Sequence, residues 1–255
     1  MDKTVISGFE MIDKDFGGLK SGEVTLVGGR PGMGKTAFAL QIALDAAKKG
    51  KSVCFFSAEN SPVDLELHLG SIISGIATYK IRNWDMSDKE WNLFKKIMRK
   101  VKELPIHFVY TDTIQMMKYW CADENNAVDL IIFDYYQLVK YSFTETKDAA
   151  VDLTSVDYLI EFKKLAKKYM VPVIVLSQLN RRIEKRKNKH PSFDDFRIDN
   201  LTEEYFDNAL LIYRDAYYDL DAPCDKAELI GIYPKKCIKA KQEIKWNNEK
   251  CGFEP

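Results

Sequence analysis

Gly29-Arg30-Pro31-Gly32-Met33-Gly34-Lys35-Thr36 fits the pattern Gly, any four residues, Gly, Lys, then Ser or Thr, the signature of a loop that wraps phosphate groups. Its flanks supply the context such a loop requires. Glu23-Val24-Thr25-Leu26-Val27-Gly28 is a short apolar β-rich run, and Ala37 to Leu44 repeats apolar residues at helical spacing. In a strand–loop–helix unit the glycines let backbone N–H groups turn inward around an anion, and the helix N-terminus adds favourable partial charge. Gly29 to Ala37 are therefore the expected nucleotide-binding residues. Lys35 is expected to reach the β- and γ-phosphates and the Thr36 hydroxyl to sit on Mg2+. A chance Gly-rich turn would not carry these flanks.

The chain of 255 residues fits one large α/β domain, and no linker rich in Gly, Ser or Pro divides it. Lys plus Arg and Asp plus Glu balance at 38 each. No global basic signature of nucleic-acid binding exists, so any such contact has to come from a local patch. Five cysteines, none spaced as Cys-x-x-Cys, and three scattered histidines argue against zinc and for reduced thiols in a cytoplasm. With no apolar signal core and no apolar run of membrane-spanning length, a cytoplasmic protein without a membrane partner is expected.

Along the chain, strand-like and helix-like segments alternate. Ser52–Ser57 reads as a second buried strand. Pro62 suits the first turn of the helix that follows, and Ser87 with Glu90 forms a capping box for the next. Trp91, Phe94, Ile97, Met98 and Val101 give that helix one apolar face, read as core. Ile106–Tyr110 is strand three, Thr113–Asp123 a helix, and Val128–Asp134 an apolar run ending in a carboxylate. Lys140–Lys147 is expected to be a mobile loop. An amphipathic helix to about Tyr169 precedes the strand Val171–Ser177. This alternation predicts an α/β fold with a mostly parallel sheet between two layers of helices. Ala209–Tyr213, Glu228–Tyr233 and Cys237–Trp246 lack intervening helices and are expected to extend the sheet as antiparallel hairpins.

Ligands of such sheets bind off the carboxyl ends of the strands. Lys35 with Thr36, Glu59, Asp134 and Gln178 occupy such ends. Phosphoryl-transfer chemistry assigns a part to each. Asp134 would hold Mg2+, Glu59 would orient or deprotonate the attacking water, and Gln178 would sense the γ-phosphate. The alternative for Glu59 is a solvated residue before a helix, and Gln at a strand end is common.

Gly29 to Leu40, Phe56-Ser57-Ala58-Glu59, Ile132 to Leu138, Val171 to Arg181 and Arg214-Asp215-Ala216-Tyr217-Tyr218 resemble the C-terminal, RecA-like motor domain of DnaB-type replicative helicases. The similarity runs in order from about Ile6 to Tyr218 and, more faintly, to the end. It implies a RecA-like ATPase fold, Glu59 as catalytic carboxylate, Asp134 as the Mg2+-associated acid and Gln178 as γ-phosphate sensor. It further implies ATP hydrolysis at the subunit interfaces of a ring, usually of six subunits, that moves on single-stranded DNA with other replication proteins as partners. The family's N-terminal helical domain and linker helix have no counterpart in this sequence, the expectation for a phage- or plasmid-like form with weaker ring assembly. Where the family has Arg-Glu-Ser-Gly on a DNA-contacting loop, this chain has Arg197-Ile198-Asp199-Asn200. Asn200 tolerates the positive φ that a Gly position can need, whereas Ile198 and Asp199 break the pattern. The family's trans-acting Arg has no counterpart in Tyr233-Pro234-Lys235-Lys236; Lys235 or Lys236 could donate a point charge there, without the planar fork of Arg.

Arg181-Arg182-Ile183-Glu184-Lys185-Arg186-Lys187-Asn188-Lys189-His190 reads as a mobile basic loop suited to phosphates of single-stranded DNA. Arg181, Arg182, Lys185, Arg186, Lys187 and Arg197 are the candidate DNA contacts, against a bland alternative of a solvated surface loop. Three functions stay open: a helicase motor, an ATP-dependent DNA-binding or helicase-associated subunit that does not unwind, and a small-molecule kinase, which Gln178 and the basic loop disfavour.

Overall fold

The computed structural model describes residues 4–126, 128–140, 155–234 and 238–254. Nine strands among these residues join one sheet: β1 (Val24–Gly29), β2 (Val53–Ser57), β3 (Ile106–Tyr110), β4 (Leu130–Asp134), β5 (Val173–Gln178), β6 (Asn208–Tyr213), β7 (Lys226–Tyr233), β8 (Ile238–Asn247) and β9 (Gly252–Glu254). Their spatial order is β3-β2-β4-β5-β1-β6-β7-β8-β9. From β3 to β6 every pairing is parallel; β7, β8 and β9 add antiparallel strands.

The central strands are apolar without alternation because helices cover both faces, so successive residues point into two different cores. On β2, Phe55 enters one core and Phe56 the other. On β4, Ile132 and Phe133 divide in the same way. Helices α1 (Lys35–Lys48) and α2 (Pro62–Ser74) are followed by the short α3 (Thr78–Arg82) and by α4 (Asp88–Glu103). The first core includes Phe38 and Ile42 of α1, Leu65 and Leu69 of α2, and Ile97 and Val101 of α4. The second core is closed by α5 (Ile114–Ala122) and α6 (Ser155–Tyr169), with Phe162 against Phe133 at a centroid distance of 5.3 Å.

Local signals place the helix ends. Ser61 accepts a hydrogen bond from the Asp64 N–H and Pro62 opens α2. Ser87 and Glu90 complete the reciprocal cap of α4, and Thr113 caps α5. The apolar face foreseen on α4 is core: Phe94, Ile97 and Val101 are buried, and Trp91 and Met98 pack partly buried beside them.

The antiparallel hairpins expected near the C-terminal end are present as β6–β7 and β7–β8; on its other side β6 lies parallel to β1, with Leu26 opposite Ala209. Only the strands after it are antiparallel, and a further short one, β9, follows them. The absence of a helix before β7 governs the direction of β7, not that of β6, whose chain arrives from the far side of β1 after leaving β5. The loop beyond Lys140, expected to be mobile, lies outside the described residues, as do Lys235 and Lys236.

Candidate functional site

Strand order carries the site. β4, β5 and β1 are consecutive in the sheet and β2 flanks β4, while the register sets Ser57 beside Asp134 and Gln178 beside Gly29. All four carboxyl ends therefore meet along one edge. A cleft of about 430 Å3 opens there, lined by Pro31, Gly32, Gly34 to Ala37, Glu59, Asn60, Asp134 and Gln178, with His68, Arg82, Trp246 and Cys251 completing its wall.

The anion cradle follows from the backbone. Gly34 stands at the N-cap of α1 with φ 98°, and no side chain caps the helix, so its first-turn N–H groups open toward the loop. A Cβ at Gly34 would also meet Trp246 at 2.7 Å. Met33 is buried in the core and Gly29 ends β1, so each has only its backbone to offer a ligand. Lys35 is buried, its Nζ 3.3 Å from the Arg30 carbonyl. Burial lowers its pKa to about 8, with Asp134 and Glu59 opposing the shift. An incoming phosphate would add negative charge beside this ammonium and favour its protonated form.

Asp134 is fully buried. Its Oδ2 accepts the Thr36 hydroxyl at 2.8 Å. Its Oδ1 has no hydrogen-bond partner of good geometry among the described residues, although the Asn60 side chain lies close enough to favour the charged form. Burial raises the pKa of Asp134 to about 6; the Thr36 hydrogen bond opposes this and the neighbouring Glu59 adds to it. A carboxylate oxygen orphaned in this way, beside a hydroxyl that donates its proton to Oδ2 and keeps its lone pairs, suits a hard divalent cation such as Mg2+. Glu59 is exposed at the cleft, its N–H 3.3 Å from Ser57 Oγ, placed to face solvent entering from that side.

Arg30 departs from the simple reading of the loop. Its backbone belongs to the cradle, but its buried guanidinium turns away. Nε and Nη2 meet Glu184 Oε1 at 2.8 and 2.7 Å, and Nη1 donates to the Leu179 carbonyl at 2.7 Å. The phosphate loop is thereby tied to the basic segment, where the short 3-10 helix Arg181–Lys185 holds Glu184. That segment is fastened rather than loose: Arg186 pairs with Asp195 at 2.7 Å and Lys189 donates to the Glu184 carbonyl. Arg186 is therefore engaged in holding the loop, whereas Arg181, Arg182, Lys185 and Lys187 are exposed. Arg181 and Arg197 line a groove of about 480 Å3 with Arg30, Pro31, Gln178, Leu179 and Asn180. Gln178 and Pro31 border both this groove and the nucleotide cleft. In the departing segment, Ile198 is a buried core residue and Asn200 adopts φ 56°, the conformation its side chain tolerates.

The far chain supplies residues that linear reading did not assign. The Arg214 guanidinium lies 4.0 Å over the Trp246 ring, donates to the Gly32 carbonyl at 3.2 Å and reaches Asn248 Oδ1 at 3.2 Å. Trp246 Nε1 donates to the same Asn248 oxygen at 2.6 Å. His68 Nε2 lies 2.8 Å from the Cys251 carbonyl, so that nitrogen carries the proton; burial lowers the ring's pKa. Trp246 closes a strand that the sequence reveals, but its approach to Gly34 depends on pairing between distant segments.

A phosphate loop on the central strand of a parallel α/β sheet, with acids and an amide from the neighbouring strand ends around it, defines a P-loop nucleotide-binding protein. More narrowly, the chain belongs to the family of the DnaB-like helicase C terminal domain, whose model matches residues 4–254. It is 34% identical to a probable replicative DNA helicase of Trieres chinensis over 88% of this chain and 51% of that protein. It is 29% identical to the replicative DNA helicase DnaC of Bacillus subtilis (strain 168) over 84% and 48%. The chain thus spans about half the length of the curated relatives it matches. The RecA-like fold is shared with solved structures. A DnaB-like replicative helicase reported with its interactions with primase superposes at TM-score 0.87 with 24% identity, covering 98% of this chain and 61% of that one. A solved ATPase domain superposes at 0.85 with 24% identity, covering 98% and 90%.

Proposed function

We propose that the chain is the ATP-hydrolysing motor of a replicative-type helicase that moves on single-stranded DNA. The observation that carries this reading is the shared wall of the two clefts. Gln178 and Pro31 face both the phosphate cradle and a groove lined by Arg181 and Arg197. A motor needs such a wall, because phosphate chemistry on one side has to be felt by the polymer on the other. The names of the relatives support the same class.

In this mechanism the backbone N–H groups of Gly32 to Thr36 and the Lys35 ammonium grip the phosphates of ATP. Thr36 and Asp134 would hold Mg2+, which when bound neutralises charge on the β- and γ-phosphates. Glu59 orients the attacking water and accepts its proton, and the Gln178 amide hydrogen-bonds the terminal phosphate. The Arg214 guanidinium, stacked on the buried Trp246 ring, offers a flat cationic surface for the base. Arg181, Arg182, Lys185, Lys187 and Arg197 take DNA phosphates without reading sequence.

A ring of six subunits, with Lys235 or Lys236 reaching a neighbour's nucleotide, and a replication partner such as a primase complete the proposal. The test is ATP hydrolysis by the purified chain with and without single-stranded DNA, beside strand displacement from a forked duplex. Hydrolysis stimulated by DNA, with displacement, is expected; hydrolysis indifferent to DNA would remove the motor reading.

A further inference from the structure

The side-chain amide of Gln137 joins the end of β5 to the segment carrying Arg197. Gln137 sits on the 3-10 turn Tyr136–Leu138 directly after β4. Its Oε1 accepts the Gln178 backbone N–H at 2.9 Å. Its Nε2 donates to Ser177 Oγ at 2.9 Å and lies 3.3 Å from the carbonyls of both Gln178 and Arg197. The orientation of the amide is fixed chemically. The Gln178 N–H can only donate and the two carbonyls can only accept, so oxygen and nitrogen cannot be exchanged.

Both ends of this link lead to working elements. Gln178 borders the nucleotide cleft and the basic groove. Arg197 is exposed between two buried anchors, Phe196 and Ile198. The anchors are fastened to the continuation of β5: Leu179 pairs with Phe196, and the Asn180 N–H donates to the Asp195 carbonyl at 2.7 Å. A shift of the Gln178 main chain therefore meets the Arg197 main chain within one side chain. An amide suits this point because donor and acceptor are needed together. A carboxylate keeps the acceptor, loses both donors and sets lone pairs against two carbonyls. A thioether keeps the shape and loses everything else.

We infer that Gln137 is a positioning residue that couples the γ-phosphate sensor Gln178 to the DNA-contacting segment at Arg197. The inference rests on the proposed function and adds the path by which its two clefts communicate. By reciprocity, DNA held by Arg197 favours the same placement of Gln178 that the terminal phosphate favours.

The experiment compares the wild-type chain with Gln137→Glu and Gln137→Met. It reads the ratio of ATP turnover with and without single-stranded DNA, the KM for ATP, and the Tm of each protein. In Gln137→Glu the stimulation ratio is expected to fall by about fivefold or more, with KM for ATP and Tm near wild type. Gln137→Met should lose stimulation at least as completely. Wild-type stimulation retained in both variants would overturn the inference, as would a loss of stimulation that appears only together with a lowered Tm. The wild-type arm separates this failure from that of the broader reading: a wild-type enzyme insensitive to DNA refutes the motor, whereas a DNA-sensitive wild type with DNA-sensitive variants refutes only the role of Gln137.

Discussion

Among single residues, the proposed chemistry turns on two carboxylates in opposite surroundings. Asp134 is buried, its pKa raised to about 6, and one of its oxygens lacks a well-placed partner among the described residues; Glu59 is exposed at the cleft. The sign of the Asp134 shift has a testable consequence. A carboxyl whose folded-state pKa lies above its unfolded value holds its proton more tightly when folded, so its ionised form costs stability above about pH 6 and the cost is relieved as pH falls through that value. In the absence of divalent cations, Asp134→Asn is therefore expected to raise stability at neutral pH, read as a higher Tm, and to flatten its pH dependence between the ordinary carboxylate value of 3.8 and about 6, while abolishing hydrolysis. A lower Tm for this variant would contradict the assigned cost. In the wild type, Mg2+-dependent nucleotide binding should weaken as pH drops through about 6, since the cation competes with the proton. Glu59→Gln should lower turnover by about 10²–10⁴-fold, the range of general acid–base contributions, with nucleotide affinity little changed. Unchanged turnover would take Glu59 out of the mechanism.

Among the elements, legibility in the sequence followed how local each signal is. The phosphate loop, the capping box at Ser87 and Glu90, and the runs at Phe55-Phe56 and Ile132-Phe133 were readable because propensity, capping and burial act over a few neighbours. The direction of β6 was not, since parallel pairing with β1 joins segments far apart in the chain. Nor was the pinning of the basic segment: Arg186 finds Asp195 and Arg30 finds Glu184 only after folding. The strand ends named Glu59, Asp134 and Gln178, but the stack of Arg214 on Trp246 and the bridging amide of Gln137 arise only from contacts between distant segments. Replacing Arg181, Arg182 and Lys185 by Ala should weaken single-stranded DNA binding and flatten its salt dependence by about 0.7 in log–log slope for each phosphate no longer held. A salt slope that does not change would return the segment to a solvated loop. Arg214→Ala should weaken nucleotide binding by about tenfold, within the range for a desolvated cation–π contact. An unchanged Kd would place the base elsewhere.

For the whole molecule, the sheet is a device for bringing distant sequence to one edge. The order β2-β4-β5-β1 gathers residues from four separate stretches around one cleft, and β5 carries the same edge into the basic groove. No helix among the described residues is long and apolar enough to cross a membrane. A ring in solution should appear as a mass near six subunits with ATP and single-stranded DNA present; a monomer under those conditions would contradict ring action. All of these expectations depend on one proposed seat for the terminal phosphate. A crystal structure of the chain with Mg2+ and a non-hydrolysable ATP analogue tests it directly. The γ-phosphate is expected against Lys35 and Gln178, the cation on Thr36 beside Asp134, and Glu59 facing the side of attack; a nucleotide seated away from those side chains would refute the proposed site.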